Sequence, residues 1–292
     1  MRALFFALAF AFAAPALAQP AAPPPAKTIL FVGNSFTQGA QSAVQRYRAD
    51  AVTDLNGDGI GGVPALFKTF AEQVGLNWQV SLETQGGKSL RFHYEERRAR
   101  LAGRWDVVVL QEYSTLDRER PGNASGYVEY AAKLASMAVR ANPKAEVLLM
   151  ATWSRADLVY RPGSPWTGKP IAAMARDLRA AADRVRRASG DIHGVLPVGQ
   201  AWDRAMRAGV ADANPYDGIA PGQVDLWSTD QYHASIYGYY LEALIVFGQI
   251  TGVNPVALGA RERAATELGM STQQAVALQR IASEQLAAKG NN

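Results

Sequence analysis

The amino-acid sequence predicts an α/β fold built around a parallel sheet. Along its 292 residues, short apolar runs alternate with longer stretches that have helical apolar spacing. Residues 105–110 read Trp-Asp-Val-Val-Val-Leu, and such a β-branched run is typical of a strand buried on both faces, as in a parallel sheet. The composition, 48% hydrophobic and 19% charged, suits a single domain with a sizeable core.

Each predicted strand is a short apolar run. The first, residues 28–32, ends at the turn sequence Gly33-Asn34-Ser35, and the second, residues 79–83, leads into Gly86-Gly87. Three further runs complete a predicted sheet of five strands: residues 105–110, 146–151 and 194–198.

The predicted helices lie between and after these runs. Residues 63–74 have helical spacing, with Pro64 near the start and Gly75 as a stop signal. The other predicted helices are a charged one from the Gly86-Gly87 turn to about 102, then 126–140, 171–188, 201–208 and 235–250, with one or two amphipathic helices in 260–288. Irregular segments are predicted at 37–62, 155–170 and 212–230.

The start of the chain has the features of a Sec-type signal peptide. Arg2 gives a positive start, residues 4–14 are apolar, and Ala16-Leu17-Ala18 is a small-residue cleavage site. We therefore expect a signal peptide over residues 1–18, a Pro/Ala-rich lead-in over 19–27, a main domain over 28–255 and a helical extension over 256–292. The mature protein is expected to be secreted or periplasmic, with no membrane span.

Charge and composition exclude several functions. The 30 Lys and Arg nearly balance 26 Asp and Glu, without a basic run interleaved with aromatics, which argues against a nucleic-acid partner. The chain has no cysteine, so thiolate chemistry and disulfides are excluded. Its three histidines are too scattered for a zinc site. No cofactor is expected to be required, and the sequence does not indicate an oligomeric state.

Ser35 is the first candidate functional residue. It follows the first predicted strand, at the sheet edge where α/β proteins bind ligands. A serine hydroxyl needs a neighbouring base to act as a nucleophile, and His233 has Asp230 three residues before it to orient its ring. The alternative is that Ser35 is a turn residue, Asp230 a helix cap and His233 a polar residue in a first turn.

Three further positions follow strands at the same predicted edge. Backbone N–H groups of Gly86 or Gly87, and the side-chain amide of Gln111, are candidate donors to an oxyanion. The alternatives are a plain tight turn and a polar residue that closes a strand. Four such signals at one sheet edge are stronger together than separately.

These residues give the chain a resemblance to the SGNH hydrolases, also called GDSL-like esterases, over about residues 28–250. The matching blocks are Gly33-Asn34-Ser35, Gly86 or Gly87, and Asp230 with His233. Where that family has Asn in a Gly-x-Asn-Asp block, this chain has Val109-Leu110-Gln111-Glu112.

The resemblance implies a flavodoxin-like, three-layer α/β/α sandwich with a mostly parallel five-stranded sheet. It further implies that Ser35 attacks an ester carbonyl, with His233 as general base and Asp230 orienting it. The implied oxyanion donors are the Ser35 N–H, a Gly86 or Gly87 N–H and the Gln111 side chain. The expected substrate is a small acyl ester, with a carbohydrate O-acetyl group as one option. An acyltransferase, a lipolytic enzyme and a non-catalytic, calcium-stabilised binding module are the alternatives.

Two other features of the sequence are candidate binding elements. The segment Asp54-Leu55-Asn56-Gly57-Asp58 resembles the first half of an EF-hand loop, but Ala65 stands where the closing Glu would be. Both a plain polar turn and half of a structural calcium site, with Asp54, Asn56 and Asp58 as ligands, stay open. The candidate substrate pocket is formed by residues near the predicted site, with core packing as the alternative for the aromatic ones: Asn34, Trp153, Trp227 and Tyr232.

Overall fold

The computed structural model describes residue 3 and residues 26–289. Except for residue 3, the predicted signal peptide and its cleavage site lie outside the described residues. Residues 19–25 of the lead-in lie outside them as well. Within the described part of the chain, no helix is long and apolar enough to cross a membrane.

A six-stranded parallel sheet forms the centre of the protein, with the strand order β2-β3-β1-β4-β5-β6. The strands are β1 (Lys27–Gly33), β2 (Thr53–Asp54), β3 (Trp78–Thr84), β4 (Val107–Gln111), β5 (Glu146–Ala151) and β6 (Gly194–Pro197). The five predicted strands are present. The sixth, β2, pairs only with Ser81 and Leu82 at the sheet edge, and two residues are too few to produce a strand pattern in the sequence.

Helices cover both faces of the sheet. They are α1 (Gly62–Gln73), α2 (Leu90–Glu96), α3 (Arg98–Leu101), α4 (Ser125–Ala141), α5 (Ala156–Tyr160), α6 (Ala172–Ala188), α7 (Val198–Arg207), α8 (Ile236–Thr251), α9 (Arg263–Glu267) and α10 (Thr272–Lys289). Short 3₁₀ turns occupy Ala43–Arg46, Ala49–Ala51 and Pro255–Leu258. Two predictions were wrong in detail: the charged helix is divided at Arg97, and the loop predicted at 155–170 contains α5.

The side chains of the central strands alternate between two apolar cores. In β1, Ile29 and Phe31 pack on the side of α1, α7, α8 and α10, whereas Leu30 and Val32 pack on the side of α2, α4 and α6. All four are at most 1% exposed, which explains why this strand is apolar throughout rather than alternating with polar residues. The predicted three-layer α/β/α arrangement is therefore confirmed. Helix α10 packs on α7 and α8 and contributes Leu278 to their core.

The chain order creates a crevice at the carboxyl edge of the sheet. Strand β1 lies between β3 and β4: after β1 the chain continues to β2 and β3 on one side of it, whereas after β4 it continues to β5 and β6 on the other side. The loops that follow β1 and β4 therefore diverge, and such a switch point is where open α/β sheets bind ligands.

Candidate active site

Ser35, His233 and Asp230 form a continuous chain of hydrogen bonds at this edge. The Ser35 Oγ lies 3.0 Å from Nε2 of His233, and Nδ1 of the same ring lies 2.6 Å from Oδ2 of Asp230. Ser35 is partly exposed, whereas the imidazole of His233 is largely buried. The fold thus brings the three predicted residues into contact, although Ser35 and His233 are 198 positions apart in the sequence.

The carboxylate of Asp230 is held by its own loop. Its Oδ1 accepts the backbone N–H groups of Tyr232 at 3.0 Å and His233 at 2.9 Å. Partial burial raises the pKa of Asp230, but the hydrogen bonds from the His233 ring and from these N–H groups outweigh burial, so its pKa lies below the ordinary value of 3.8. The carboxylate is therefore ionised at neutral pH and fixes the histidine ring through Nδ1.

A tight loop presents Asp230 and His233 just before α8. The Ser228 N–H donates to the His233 carbonyl at 2.8 Å, and Gln231 has a φ of 57° in the left-handed region. Ser228 Oγ donates to the carbonyl of Gln41 at 2.8 Å, which ties the loop to the segment that follows Ser35. The N-cap of α8 is Ser235, so Asp230 is not needed to cap that helix.

Gln111 holds the turn after β1 instead of facing the reaction centre. Its Oε1 accepts the Asn34 N–H at 2.9 Å and the Thr37 hydroxyl at 3.1 Å, and its Nε2 donates to the Glu112 carbonyl. Because the Asn34 N–H can only donate, the oxygen of the amide must face it. A Cβ on Gly33 would approach Oε1 to 2.7 Å, so glycine is required there. The predicted oxyanion role of Gln111 is replaced by a positioning role.

Backbone N–H groups are the remaining donors near Ser35. Within residues 26–289, the N–H groups of Ser35, Gly86 and Gly87 have no hydrogen-bond acceptor. The glycine turn is tied to the end of β1 because the Gln85 N–H donates to the Gly33 carbonyl at 3.0 Å. Gly87 has a φ of 70°, which glycine adopts without strain.

Solved structures share this architecture at low sequence identity. A DUF4886 family protein from Bacteroides uniformis aligns with a TM-score of 0.64 and 19% identity over 91% of this chain and 96% of its own. A candidate GDSL-like lipase from Parabacteroides merdae aligns with a TM-score of 0.54 and 19% identity over 77% of this chain and 95% of its own. The chain has the GDSL-like fold. TesA aligns at 0.50 and 15% identity over 77% of this chain and 99% of its own.

The resemblance drawn from the sequence is thus confirmed at the level of the GDSL-like fold. No protein-family model matches the chain, and no curated protein matches it either.

Two aromatic residues predicted to line a substrate pocket of this GDSL-like fold belong to the core. Trp153 is 0% and Trp227 1% exposed, so neither ring can contact a substrate. Trp153 stacks between Phe36 and Trp202, with ring centroids 4.1 Å and 4.7 Å away. Their indole N–H groups donate to main-chain carbonyls, which leaves both tryptophans as support beneath the site.

The other two predicted pocket residues have separate roles. Asn34 is 3% exposed, and its amide donates to the carbonyls of Lys88 at 2.9 Å and Glu112 at 3.3 Å. It therefore joins the loops that follow β3 and β4. Tyr232 is half-buried, and its ring centroid lies 4.1 Å from that of His233.

Arg155 was missed by the sequence reasoning. Its guanidinium carbon lies 3.6 Å from the ring centroid of Tyr232, and it forms two hydrogen bonds with Asp157, at 3.1 Å and 2.6 Å. The Asp157 N–H donates to the Gln231 carbonyl at 3.1 Å. This pair therefore braces the loop that carries Asp230 and His233. Both residues lie in the predicted loop 155–170, where the sequence has no pattern that singles them out.

Glu112 is a buried carboxyl group beside the site. Burial raises its pKa from 4.5 to about 7, and the backbone N–H groups of Tyr113 and Leu90 that it accepts offset this only in part. Its pKa is therefore higher in the folded state than in the unfolded chain. The stability it contributes is fully present below about pH 4.5 and is lost as the pH rises to about 7.

Replacing Glu112 with glutamine should remove this pH dependence. The amide oxygen can accept the same two N–H groups, but the side chain no longer ionises. The wild-type protein loses stability between pH 4 and pH 8, whereas Glu112→Gln should not. The free energy of unfolding of the variant, relative to that of the wild type, should therefore be about 3 kcal/mol higher at pH 8 than at pH 4. Urea denaturation at both pH values measures this, with the exposed Glu119→Gln as control. An equal effect of Glu112→Gln at both pH values would contradict the assignment.

Most oxygens of the Asp54 loop already accept hydrogen bonds from the protein. The Asp54 carboxylate accepts the N–H groups of Asn56, Asp58 and Ile60 at 3.0 to 3.1 Å, which closes the turn on itself. The guanidinium of Arg46 donates to the carbonyls of Asp58 and Gly59. Arg100 donates to the Asn56 Oδ1, so the side-chain oxygens of two of the three predicted ligands, Asp54 and Asn56, already accept hydrogen bonds. Among the described residues, no group of three or more His, Cys, Asp or Glu side chains could hold a metal ion.

Chelation should consequently leave the thermal stability unchanged. We expect the same melting temperature in EDTA and in millimolar calcium chloride, because backbone N–H groups already hold the Asp54 carboxylate. Differential scanning calorimetry measures both. A rise of several degrees with calcium, reversed by EDTA, would show that the loop binds the ion.

Proposed function

We propose that the protein is an exported serine esterase that hydrolyses a small acyl ester. The observation that carries this proposal is the hydrogen-bonded chain from Ser35 through His233 to Asp230, at the carboxyl edge of a GDSL-like fold. A nucleophile, a base and a group that orients the base are the components of acyl transfer. Export is proposed from the signal-peptide pattern of residues 1–18.

The proposed reaction starts with proton transfer from Ser35 Oγ to Nε2 of His233 as the oxygen attacks the ester carbonyl carbon. The tetrahedral oxyanion is held by the N–H of Ser35 and that of Gly86 or Gly87, which are free to donate. Collapse breaks the bond to the alcohol, and His233 gives the proton to the leaving oxygen. An acyl group then remains on Ser35.

A water molecule completes the cycle. His233 takes a proton from the water as it attacks the acyl carbon, and returns that proton to Ser35 Oγ when the carboxylic acid leaves. Asp230 holds the imidazole tautomer with the proton on Nδ1 and stabilises the imidazolium in both halves of the reaction.

A polar alcohol is the favoured partner of the acyl group. A groove of about 660 Å³ begins at Gly87 and Lys88, next to the proposed oxyanion donors, and its lining includes Glu96, Asp117 and Arg118. Charged walls suit a hydroxyl-rich group such as a carbohydrate better than a lipid chain, which would have to desolvate them. This favours a carbohydrate ester over a lipolytic substrate.

Covalent labelling tests the proposal directly. The wild-type protein should hydrolyse p-nitrophenyl acetate, and a fluorescent phosphonate should label it at a single site that peptide mapping assigns to Ser35. Excess p-nitrophenyl acetate present during the labelling should slow it, since both compounds compete for one serine. A protein that is inert and unlabelled, or labelled at another serine, would overturn the proposed function.

A further inference from the structure

An exposed pair of tyrosines lies on the loops that surround the candidate site. Large apolar side chains are mostly buried in residues 26–289, and Tyr160 (39% exposed) and Tyr216 (38%) are among the few that are not. Their rings contact each other edge to face, with centroids 6.1 Å apart and planes at 72°. Exposed aromatic rings in contact are a feature that folding alone does not require.

The position of this pair links it to the Asp230–His233 loop. Tyr160 ends α5, one turn after Asp157, whose N–H donates to the carbonyl of Gln231. Burial raises the pKa of Tyr216 despite the nearby Arg161, and the negative charges of Asp157 and Asp230 raise it further. Tyr216 therefore lies within the electrostatic reach of the carboxylate that orients His233.

Both rings are fixed before any ligand arrives. The Tyr160 hydroxyl donates to the Ala213 carbonyl at 2.8 Å, which joins α5 to the loop that carries Tyr216. The Asp212 carboxylate accepts the N–H groups of Asn214 at 2.9 Å and Ala220 at 2.8 Å, so the loop is closed by its own hydrogen bonds. Little conformational entropy remains to be lost when a ligand binds to such a platform.

Polar groups surround the exposed rings. The guanidinium of Arg161 lies 4.9 Å from the ring centroid of Tyr216, and the carboxylate of Asp217 accepts the Asn214 amide at 2.6 Å. Apolar ring surface bordered by donors and acceptors matches a sugar, which has an apolar C–H face and hydroxyl groups around its edge. A fatty acyl chain cannot form hydrogen bonds with these polar groups and would desolvate them at a cost in free energy.

We infer that Tyr160 and Tyr216, which lie outside the groove that begins at Gly87, form a binding platform for a further sugar unit in the alcohol part of the ester substrate. This inference rests on the proposed esterase function and specifies its substrate class. The platform lies on residues that sequence reasoning passed over, because neither the end of α5 nor the loop at 212–230 has a periodic pattern.

Two substrates separate platform binding from catalysis. The double variant Tyr160→Ala/Tyr216→Ala should hydrolyse p-nitrophenyl acetate, which has no sugar, within about twofold of the wild-type rate. With acetylated xylobiose, mannobiose or cellobiose, kcat/KM should fall about 10-fold, through KM. The Phe variants at both positions, which keep the rings, should retain most of the wild-type KM. Val256→Ala, at a similarly exposed apolar position, is the control.

A binding measurement keeps this test independent of the esterase chemistry. Wild-type protein should bind free xylo-, manno- or gluco-oligosaccharides in NMR titrations, and the double alanine variant should not. The inference is overturned if wild-type protein binds none of these sugars, if the variant binds them equally, or if both ester substrates lose activity together. Wild-type sugar binding without Ser35-dependent hydrolysis would instead overturn the proposed function while supporting the platform.

Discussion

Ser35→Ala is expected to lower kcat for p-nitrophenyl acetate by about 10⁴-fold or more, because the attacking oxygen is removed. The fold should remain intact. The other hydrogen bonds of Ser35 use its main-chain carbonyl, which accepts the Ala40 N–H at 3.0 Å and is approached by the Tyr239 hydroxyl at 3.5 Å. Alanine keeps both contacts.

Steady-state kinetics and thermal denaturation of the same preparation measure this effect. The control is Ser89→Ala, which removes a hydroxyl near the Gly86-Gly87 turn without touching His233. It should stay within a fewfold of the wild-type kcat. If Ser35→Ala kept more than about a tenth of the activity, the hydrolysis would have to arise from another group.

The second large effect is expected from Asp230→Asn, which should lower kcat by about 10⁴-fold. The asparagine oxygen can still accept the N–H groups of Tyr232 and His233, so the loop should keep its shape. Its amide nitrogen, however, would face Nδ1 of His233 and force the ring proton onto Nε2. The histidine would then have no lone pair with which to accept the Ser35 proton.

Comparison across pH distinguishes this electronic effect from unfolding. The pKa of Asp230 is lowered in the folded state, so its carboxylate contributes stability above its ordinary pKa that is lost as the pH falls. Asp230→Asn should therefore reduce the free energy of unfolding at pH 7 more than at pH 3. Asp217→Asn, in the preceding loop, is the control and should keep the activity. A kcat for Asp230→Asn within tenfold of wild type would contradict the role of Asp230.

The sequence predicted the central strands well because their apolar character comes from burial on both faces. The prediction at 146–151 matches β5, and the prediction at 105–110 overlaps β4 at 107–111, because every side chain in these two strands except Glu146 is buried. Strand β2 was missed because a two-residue edge strand carries no pattern. The break at Arg97 between α2 and α3 is likewise a local change in backbone direction that helical periodicity does not show.

The residues of the candidate site divide in the same way. Ser35, Asp230 and His233 could be selected from residue type and spacing, because few other groups in the chain could perform their chemistry. The contacts of Gln111 could not be predicted from the sequence. Whether the oxygen or the nitrogen of its amide faces the Asn34 N–H depends on the folded turn. The burial of an aromatic residue near a motif is equally hard to predict from the sequence. Trp153 is buried whereas Tyr216 is exposed, and this difference depends on the residues that pack around each of them in the fold.

The stack of Phe36, Trp153 and Trp202 has a consequence for how the candidate site would be lost on heating. Phe36 is next to Ser35 in the chain. The turn that carries Ser35 therefore packs on Trp153, just after β5, and through it on Trp202 in α7. A turn packed in this way is expected to unfold together with the core, unlike a turn carried on a surface loop. Inactivation and global unfolding should form one cooperative event, and the catalytic geometry should persist up to the temperature at which the whole domain is lost.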